Sequence, residues 1–478
     1  MKFMCLSKTL ILASVLLQGV LWSTALSADT DSARNQGAAW LIKQQRGDGS
    51  WASAGGDLPV QATSAAILAL KNAGLSRSPT YGAAVGWLAN VDVSSVDSIS
   101  RKIEGLAAAG MRASSQSEAD RLFGMRSLNN LAVWSGYGGS NADLIDTALG
   151  LGALRMGDVN YFAKVNDASN PTIANALCVL VATRINVAPG KPWPAAPPKT
   201  NQSAGQGRPS VVATALILNE LRSMKLIGIN SATCAGNVTS DIETLQTDAR
   251  TWLLDQQNPD GGFGEQRTDG SKGPSNVLVT AWVYRALSRQ ASPPSQAATA
   301  LNWLLQQQDT STTVMRGSWR GDPFVTGAVL AALAPASGVH LLDTDRDGIT
   351  NVLEAQLGSN QNVADARNPL KPPSLFVPGT TASAFTANAT VGQPFNYSLG
   401  AGSSFRLVTG ALPPGLSLSA TGGITGTPQQ AGVYSFDYVS NGTDTKIGRI
   451  DVATAPPPQP QPSVPAWLPA ILEMLLDD

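Results

Sequence analysis

The sequence predicts a multidomain protein with an all-helical domain of repeated hairpins, an acidic loop and an all-β domain. Three observations support this prediction. A string of Trp-Leu, paired Gln, Gly and a closing aromatic residue recurs along the first two thirds of the 478 residues, and Ala- and Leu-rich segments of helical periodicity follow it. An acidic string begins at Asp343. Beyond residue 374, apolar and polar residues alternate between Gly and Pro stops, which is typical of strands.

Residues 1–28 have the pattern of an export signal. Lys2 and Lys8 flank the start of an apolar run that ends in small residues near Ala28. The run contains polar residues and is short for a membrane span, so we expect cleavage, with an uncleaved anchor as the alternative. The prediction is an exported protein, located in the periplasm, associated with the membrane at the cell surface, or secreted.

Composition excludes several functional classes. Lys plus Arg number 33 against 34 for Asp plus Glu, so the net charge of -1 gives no basic excess for nucleic acid. Hydrophobic residues make up 43% of the chain, enough for a sizeable core, whereas charged residues make up only 14%. His340 is the single histidine, which excludes multi-histidine metal sites and a Ser-His-Asp triad within the helical domain.

Signal cleavage would remove Cys5 and leave Cys178 and Cys234. In an oxidising compartment these two residues could form a disulfide. Two separately buried thiols are the alternative, because sequence alone does not give the distance between them.

Internal repetition defines residues 29–337. The string at Ala39–Trp51 recurs at Thr251–Phe263 with the same eleven-residue step from Trp to closing aromatic, and Asn302–Trp319 is a third copy with an insertion. Degenerate copies occur near Gly136 and at Gly86–Val91. A single hairpin cannot bury its own apolar face, so stacked neighbours must cover it. About six hairpins fit this length, interrupted by a Pro-rich stretch, APGKPWPAAPPKT.

These strings resemble the repeats of prenyltransferases and squalene cyclases. The resemblance implies an α/α toroid in which the Gln and aromatic side chains tie neighbouring helices together. We therefore expect the repeat aromatics to be structural rather than ligand-binding. They are Trp40, Trp51, Trp252, Phe263, Trp303 and Trp319.

The resemblance invites a search for catalytic motifs, and the known ones are missing from the sequence. The Asp-x-Asp-Asp string of terpene cyclases does not occur, Cys178 has no accompanying zinc ligands, and Phe263 stands where a thioester would need Cys. A lyase-like site remains possible around three charges in one inner helix. These are Arg101, Lys102 and Glu104, and for Arg101 and Lys102 a solvated face is the alternative. Four acids lie at or near the starts of inner helices, where we expect them to cap the helices: Asp57, Asp143, Asp146 and Asp322.

The segment 338–370 contains a calcium-loop pattern. Asp343, Asp345 and Asp347 occupy positions one, three and five, and Glu354 occupies position twelve. Calcium prefers six to eight oxygens, and this spacing wraps the chain around one ion. Gly348 permits the sharp turn. The remaining predicted ligands are the backbone carbonyl of Ile349 and, through a water, Asn351. The string resembles the loops of thrombospondin type 3 and dockerin-like repeats.

Residues 371–455 resemble the immunoglobulin-like, cadherin-related domains of bacterial surface proteins, on the string LPPGLSLSATGGITGTPQQAGVYSF. The resemblance implies a β-sandwich that serves as a spacer or adhesive unit. Residues 456–478 combine a Pro-rich linker with a short apolar segment. That segment is either a small docking helix or a tag for export or partner binding.

The combined prediction is an exported calcium-binding surface or periplasmic protein that acts as a non-catalytic binding or adhesion platform. The alternative is an enzyme that uses the toroid cavity for a polysaccharide, in a lyase-like reaction, or for an isoprenoid-like substrate. A structural role in an envelope assembly is a third possibility. Expected partners are a polysaccharide, a lipid-like ligand or an envelope protein, with calcium as the one cofactor.

Overall fold

The computed structural model describes most of the chain between residues 30 and 455. The predicted export signal and the C-terminal segment 456–478 lie outside the described residues, as does Asp57. The described ranges are 30–53, 59–126, 133–136, 143–158, 160–163, 172–196, 207–234, 238–362, 365–367, 376–381, 385–400, 405–410, 412–440 and 444–455.

The N-terminal two thirds is helical, as the repeats predict. Outer and inner helices alternate along the chain, because each amphipathic pair exposes one helix and buries the other. The outer helices are α1 (residues 30–44), α3 (Pro79–Asn90), α5 (Arg112–Gly124), α8 (Thr172–Ala182), α10 (Ile242–Asp255) and α12 (Ser295–Gln306). The inner helices are α2 (Pro59–Asn72), α4 (Val96–Ala108), α6 (Leu144–Gly157), α9 (Val211–Leu226), α11 (Val277–Ser288) and α13 (Pro323–Ala332), and a short α7 (Asn160–Ala163) follows α6.

The six inner helices form a closed ring. Each packs against the next in chain order, and α13 packs against α2, which joins the last hairpin to the first. Every inner helix follows an outer helix in the chain. The closed ring is the arrangement that the resemblance of the repeats implies.

One hydrogen-bonding pattern repeats at five hairpin turns. The backbone N–H of the closing aromatic donates to a threonine hydroxyl in the first turns of the inner helix, over 2.9–3.1 Å. Where the aromatic is Trp, its indole N–H also donates to a carbonyl in the last turn of the outer helix. The aromatic–threonine pairs are Trp51–Thr63, Trp134–Thr147, Trp193–Thr214, Phe263–Thr280 and Trp319–Thr326.

The repeat glutamines bind each turn to the next outer helix. Gln45 Nε2 donates to the carbonyls of Gly49 (2.9 Å) and Thr80 in α3 (2.8 Å). Gln308 Nε2 does the same for the carbonyls of Gly317 (2.8 Å) and Ala33 in α1 (2.9 Å). Because Ala33 belongs to the first hairpin, this second pair of bonds closes the ring.

A glycine at each of these turns allows the next outer helix to approach closely. Gly49 has φ +97°, and a Cβ there would lie 2.5 Å from the carbonyl oxygen of Ala83. Gly317 has φ +92°, and its Cβ would lie 2.4 Å from the carbonyl oxygen of Gln36. Only glycine combines this conformation with this space. The repeat aromatics named above are all buried, as side chains that pack between helices would be.

The two described cysteines are joined. Cys178 in α8 and Cys234 in β1 (Ser231–Cys234) form a disulfide with a Cα–Cα distance of 5.5 Å. β1 pairs with β2 (Val238–Asp241), which leads directly into α10. The disulfide therefore links the fourth outer helix to the connection before the fifth. Of the two expectations for these cysteines, a disulfide and two separately buried thiols, the disulfide is the correct one.

The C-terminal domain is strand-rich. Four strands form one sheet in the order β5-β11-β10-β7, and three form another in the order β6-β9-β8, while β3 pairs with β4. Side chains from both sheets, including Ile424 and Phe436, contribute to one hydrophobic cluster. The strands are β3 (Asp365–Arg367), β4 (Phe376–Thr381), β5 (Phe385–Thr390), β6 (Phe395–Ser398), β7 (Arg406–Gly410), β8 (Leu416–Leu418), β9 (Gly423–Gly426), β10 (Gly432–Ser440) and β11 (Asp444–Ala453).

The strand-rich domain packs against the outside of the helical ring. Helix α3 lies against β7 and β10. At the start of α5 the preceding Met111 makes no side-chain cap. In the amide orientation that satisfies both its oxygen and its nitrogen, the side-chain carbonyl of Gln430 instead accepts from the backbone N–H groups of Arg112 (2.7 Å) and Ala113 (3.0 Å). The second domain thus satisfies helix-terminal donors of the first.

Candidate functional site

The predicted calcium loop lies between a 3₁₀ helix (Gly338–Leu341) and helix α14 (Asn351–Leu357). One carboxylate oxygen each from Asp343, Asp345 and Asp347 lies within 4.8 Å of the others. Asp347 is 4% exposed and Glu354 is fully buried. Glu354 does not belong to the three-aspartate cluster. The structure therefore brings together three of the four acids that the sequence selected.

Backbone donors shape the loop around its first acid. The Asp343 carboxylate accepts from the backbone N–H of Arg346 (2.7 Å) and of Gly348 (3.0 Å). Gly348 has φ +89°, as the sequence expectation of a sharp turn requires. The N–H of Ile349 donates to Asp347 Oδ1 over 2.7 Å. These bonds hold three aspartates on the inside of one turn.

Asn351 has a bracing role in the loop. Its Oδ1 accepts from the backbone N–H of Thr344 (2.9 Å), and its Nδ2 donates to the Thr344 hydroxyl (2.7 Å). The side chain thus ties the end of the loop to its beginning. The sequence selected Asn351 as a water-mediated ligand, and this bracing contact was not foreseen.

The loop is seated on the helical domain. Ile349, Leu353 and Leu357 are buried in the hydrophobic cluster of the ring. Gly348 approaches the α2–α3 connection so closely that a Cβ would lie 2.5 Å from the carbonyl oxygen of Arg77. His340 Nε2 lies 3.2 Å from Asp31 Oδ2 in α1. An ion held in the loop would consequently stabilise the packing of this segment on the ring.

A second candidate site lies at the centre of the ring. A cavity of about 70 Å³ lies between α4, α6, α9 and α11, and a cavity of about 20 Å³ lies on the side of α2 and α13. Both cavities are lined by Arg101, Glu104, Trp282 and Arg285, which separate them. About 10–15 Å³ of space for a water-sized probe is enough to hold one water, so the larger cavity accepts a few waters or a small ligand.

Ion pairs fill most of this centre. Glu104 lies between two guanidinium groups, 3.4 Å from Arg101 and 3.7 Å from Arg285. Arg155 donates two hydrogen bonds to Glu220, at 2.8 and 3.1 Å. The parallel bonds give this pair the geometry of strong guanidinium–carboxylate recognition.

Further arginines crowd the same region. Burial, together with the neighbouring charges of Arg285 and Arg222, lowers the pKa of Arg289 to about 10. Sequence reasoning singled out Arg101 and Glu104 as oddly placed charges but missed Arg155, Glu220 and Arg285. A charged residue within an otherwise apolar inner helix was the available signal in each case.

Lys102 does not reach the cavity. Its Nζ donates to the carbonyl of Val91 (2.8 Å) and to Glu118 (2.7 Å), and the residue is 5% exposed. Neither Lys102 nor Arg101, whose side chain is 13% exposed, lies on a solvated face. Of the three charges of α4, Arg101 and Glu104 therefore lie at the ring centre, whereas Lys102 contacts α5.

Two of the acids expected to cap inner helices, Asp143 and Asp322, do so. Asp143 Oδ1 accepts from the N–H groups of Ile145 (2.6 Å) and Asp146 (3.1 Å) at the start of α6. Asp322 Oδ1 accepts from the N–H of Val325 (3.0 Å) at the start of α13. Capping is the role that the sequence predicts for both.

Asp146 differs from Asp143 and Asp322. Burial, and secondarily the charges of Asp143 and Asp97, raise the pKa of this carboxyl to about 6, against the opposing effect of Arg101. Because the folded-state pKa of Asp146 is raised, its protonated carboxyl stabilises the folded protein, fully at pH values below the unfolded pKa of about 4. This contribution is lost as the pH rises through about 6.

Replacing Asp146 with Asn is therefore expected to stabilise the protein at pH 7.5 and not at pH 4. With a discount for partial exposure, the expected gain at pH 7.5 is about 1 kcal/mol. Thermal unfolding of both proteins at the two pH values measures it. Asp92→Asn serves as the control, because that side chain is 98% exposed. A gain from Asp146→Asn that is equal at both pH values would contradict the assignment.

The comparison with known families matches the C-terminal part of the chain. Residues 377–455 match the family model described as Putative Ig domain. No curated protein matches the chain. No helix in the described ranges is long and apolar enough to cross a membrane.

Similar solved structures include the type II terpene cyclase MstE from Scytonema. Its apo form is 14% identical, covers 64% of this chain and 97% of its own length, and gives a TM-score of 0.40. A variant of that enzyme in complex with geranylgeranyl dihydroxybenzoate is 13% identical, with coverages of 65% and 97% and a TM-score of 0.41. The ring itself is defined by the helix contacts of this chain.

Proposed function

We propose that this chain is an exported, calcium-binding protein that acts as a non-catalytic binding or adhesion platform at the cell surface or in the periplasm. The observation that carries the proposal is the small size of the cavities that the structure describes at the centre of the ring. Among the described residues, ion pairs leave cavities of about 70 and 20 Å³ there. Pockets for organic substrates typically measure about 300–1,000 Å³. The ring is then a rigid support, and recognition takes place on its outside.

An outer groove offers space for such recognition. It has a volume of about 430 Å³ and lies between α1, the loop before Trp319 and Gln356 of α14. Its floor includes Trp40, whose indole N–H donates to the carbonyl of Val314 over 2.9 Å. Amide, hydroxyl and cationic side chains surround this floor, and such groups suit a polar polymer. The polar lining residues include Gln36, Lys43, Gln44, Thr313, Arg316 and Gln356.

The chemistry of the acidic loop fits calcium. Three carboxylates within 4.8 Å repel one another, and burial of Asp347 increases that cost. A hard divalent cation with oxygen ligands would offset the repulsion. Asp343, Asp345 and Asp347 would hold the ion with the Ile349 carbonyl, and Glu354 would complete the set from the first turn of α14. The calcium would stabilise the loop against the ring.

Calcium is expected to raise the thermal midpoint of the full-length protein and to add one calcium mass in native mass spectrometry. An ion at 100 times its dissociation constant stabilises a folded protein by about 2.7 kcal/mol. Replacing Asp343 with Asn should remove the midpoint shift. Asp309→Asn is the matched control, because Asp309 accepts from Ser311 N–H over 2.8 Å in an exposed turn of the ring. Equal calcium shifts in the two variants would refute the site.

A catalytic ring is the second candidate function, with an isoprenoid-like or polysaccharide substrate. One observation favours it: Asp146, near the start of an inner helix, has a pKa of about 6, as a proton donor at neutral pH requires. Native mass spectrometry of the chelated protein separates the two functions. An organic mass retained without calcium would favour a catalytic or ligand-binding ring, and a bare chain would favour the platform.

A further inference from the structure

The larger cavity of the ring contains polar groups that neither calcium binding nor a platform requires. It is lined by four inner helices, and its polar side chains include Ser100, Asn219 and Arg285. None of these belongs to the acidic loop. Their chemistry therefore points to something beyond the function proposed above.

The cavity wall carries more positive than negative charge. Three arginines, Arg101, Arg155 and Arg285, face two glutamates, Glu104 and Glu220. Glu220 is engaged by both hydrogen bonds from Arg155. Arg101 lies 3.4 Å from both Glu104 and Asp97, an acid outside the cavity lining, whereas among the described acids Arg285 lies 3.7 Å from Glu104 alone. Arg285 is consequently the least neutralised cation of the cavity.

Two of these side chains have donors that no described group accepts. Ser100 is 3% exposed, and its hydroxyl has no hydrogen-bond partner among the described residues. The buried Nε of Arg285 likewise has none within the described part of the chain. A buried donor without an acceptor destabilises the folded protein. The Nε of Arg101 also lacks a hydrogen bond among the described residues, but it lies 3.4 Å from the Asp97 carboxylate. The donors of Ser100 and Arg285 therefore indicate that an acceptor is missing.

We propose that this cavity binds a small oxyanion, a carboxylate or phosphate group, between Arg285, Asn219 and Ser100. A guanidinium group matches the geometry of either anion, while an amide and a hydroxyl supply further donors. Water could satisfy the hydroxyl but would not give Arg285 an anionic partner of its own. The volume of about 70 Å³ admits an anion of a few heavy atoms and excludes a polyprenyl chain.

The test uses the full-length protein in chloride buffer, titrated with inorganic phosphate in one arm and acetate in the other. The bound anion should raise the thermal midpoint by several degrees at saturation, because a ligand that binds only the folded state stabilises it. The arm with the larger shift identifies the preferred group. Isothermal titration calorimetry should give one site per chain, with or without a calcium chelator.

Ser100→Ala separates binding from stability. Without anion this variant should be at least as stable as the parent, because it removes a donor that lacks an acceptor. Its anion affinity should fall about tenfold, the value of one hydrogen bond to a charged group. Arg285→Gln should lower the affinity about a hundredfold. Ser115→Ala is the matched control: Ser115 is 1% exposed, but its hydroxyl donates to the Arg112 carbonyl over 3.0 Å.

The control should lose stability and keep its anion affinity, the reverse of Ser100→Ala. No midpoint shift with either anion would overturn the proposal. So would a shift that Ser100→Ala and Arg285→Gln both retain in full. Failure of the calcium experiment would leave this result unaffected, because the two sites share no residue.

Discussion

Replacing Trp193 with Ala is expected to destabilise the helical ring by about 3–5 kcal/mol, the usual cost of removing a fully buried Trp. The side chain has no exposed surface. Its indole N–H donates to the Leu180 carbonyl over 2.6 Å, and its backbone N–H donates to the Thr214 hydroxyl over 3.0 Å. Thermal unfolding followed by far-ultraviolet circular dichroism should show a midpoint lowered by roughly 10 °C.

The structure supplies the natural control for this prediction. Phe263 occupies the same position in another turn, where its backbone N–H still donates to Thr280 over 2.9 Å. Trp193→Phe should therefore keep the fold and lose about 1–2 kcal/mol, mainly because the Leu180 carbonyl loses its indole donor. An alanine variant as stable as the phenylalanine variant would mean that the buried ring contributes little at this turn.

Trp193 also marks the limit of the sequence prediction of the hairpins. It lies in the Pro-rich stretch that we interpreted as an interruption, because the preceding Trp-Leu and Gln pattern is missing there. In its described part, residues 188–196, Trp193 makes the same hydrogen bonds as the closing tryptophans of the other turns. A threonine four residues after the helix cap was the usable signal, as in Ser210–Thr214 and Asp322–Thr326.

The acidic loop was partly predictable for a physical reason. Its ligand spacing is local, so the sequence alone selects Asp343, Asp345 and Asp347. The packing of the loop on the ring depends on residues far away in the sequence. Ile349, Leu353 and Leu357 have helical spacing, but the sequence does not identify the ring surface that buries them. The same limit applies to the ring centre, where Arg155 and Glu220 are 65 residues apart and meet only because the helices close.

The Arg155–Glu220 pair gives the second large prediction. Glu220→Ala is expected to cost about 3–5 kcal/mol, because it leaves the Arg155 guanidinium in the ring without its carboxylate. The side chains are 19% and 7% exposed. The exposed Lys225–Glu243 ion pair provides the control, since its side chains are 41% and 53% exposed. Glu243→Ala should change stability by less than about 1 kcal/mol.

Replacing both partners should recover most of the loss. Burial raises the pKa of Glu220 above its usual range despite the opposing hydrogen bonds and charge of Arg155, so the ionised pair carries a desolvation cost. An apolar pair of similar volume, Arg155→Met with Glu220→Leu, avoids that cost and should unfold within about 1–2 kcal/mol of the parent protein. Thermal unfolding of the single and double variants measures the coupling. A double variant no more stable than Glu220→Ala would show that the pair itself, and not the stranded charge, holds α6 to α9.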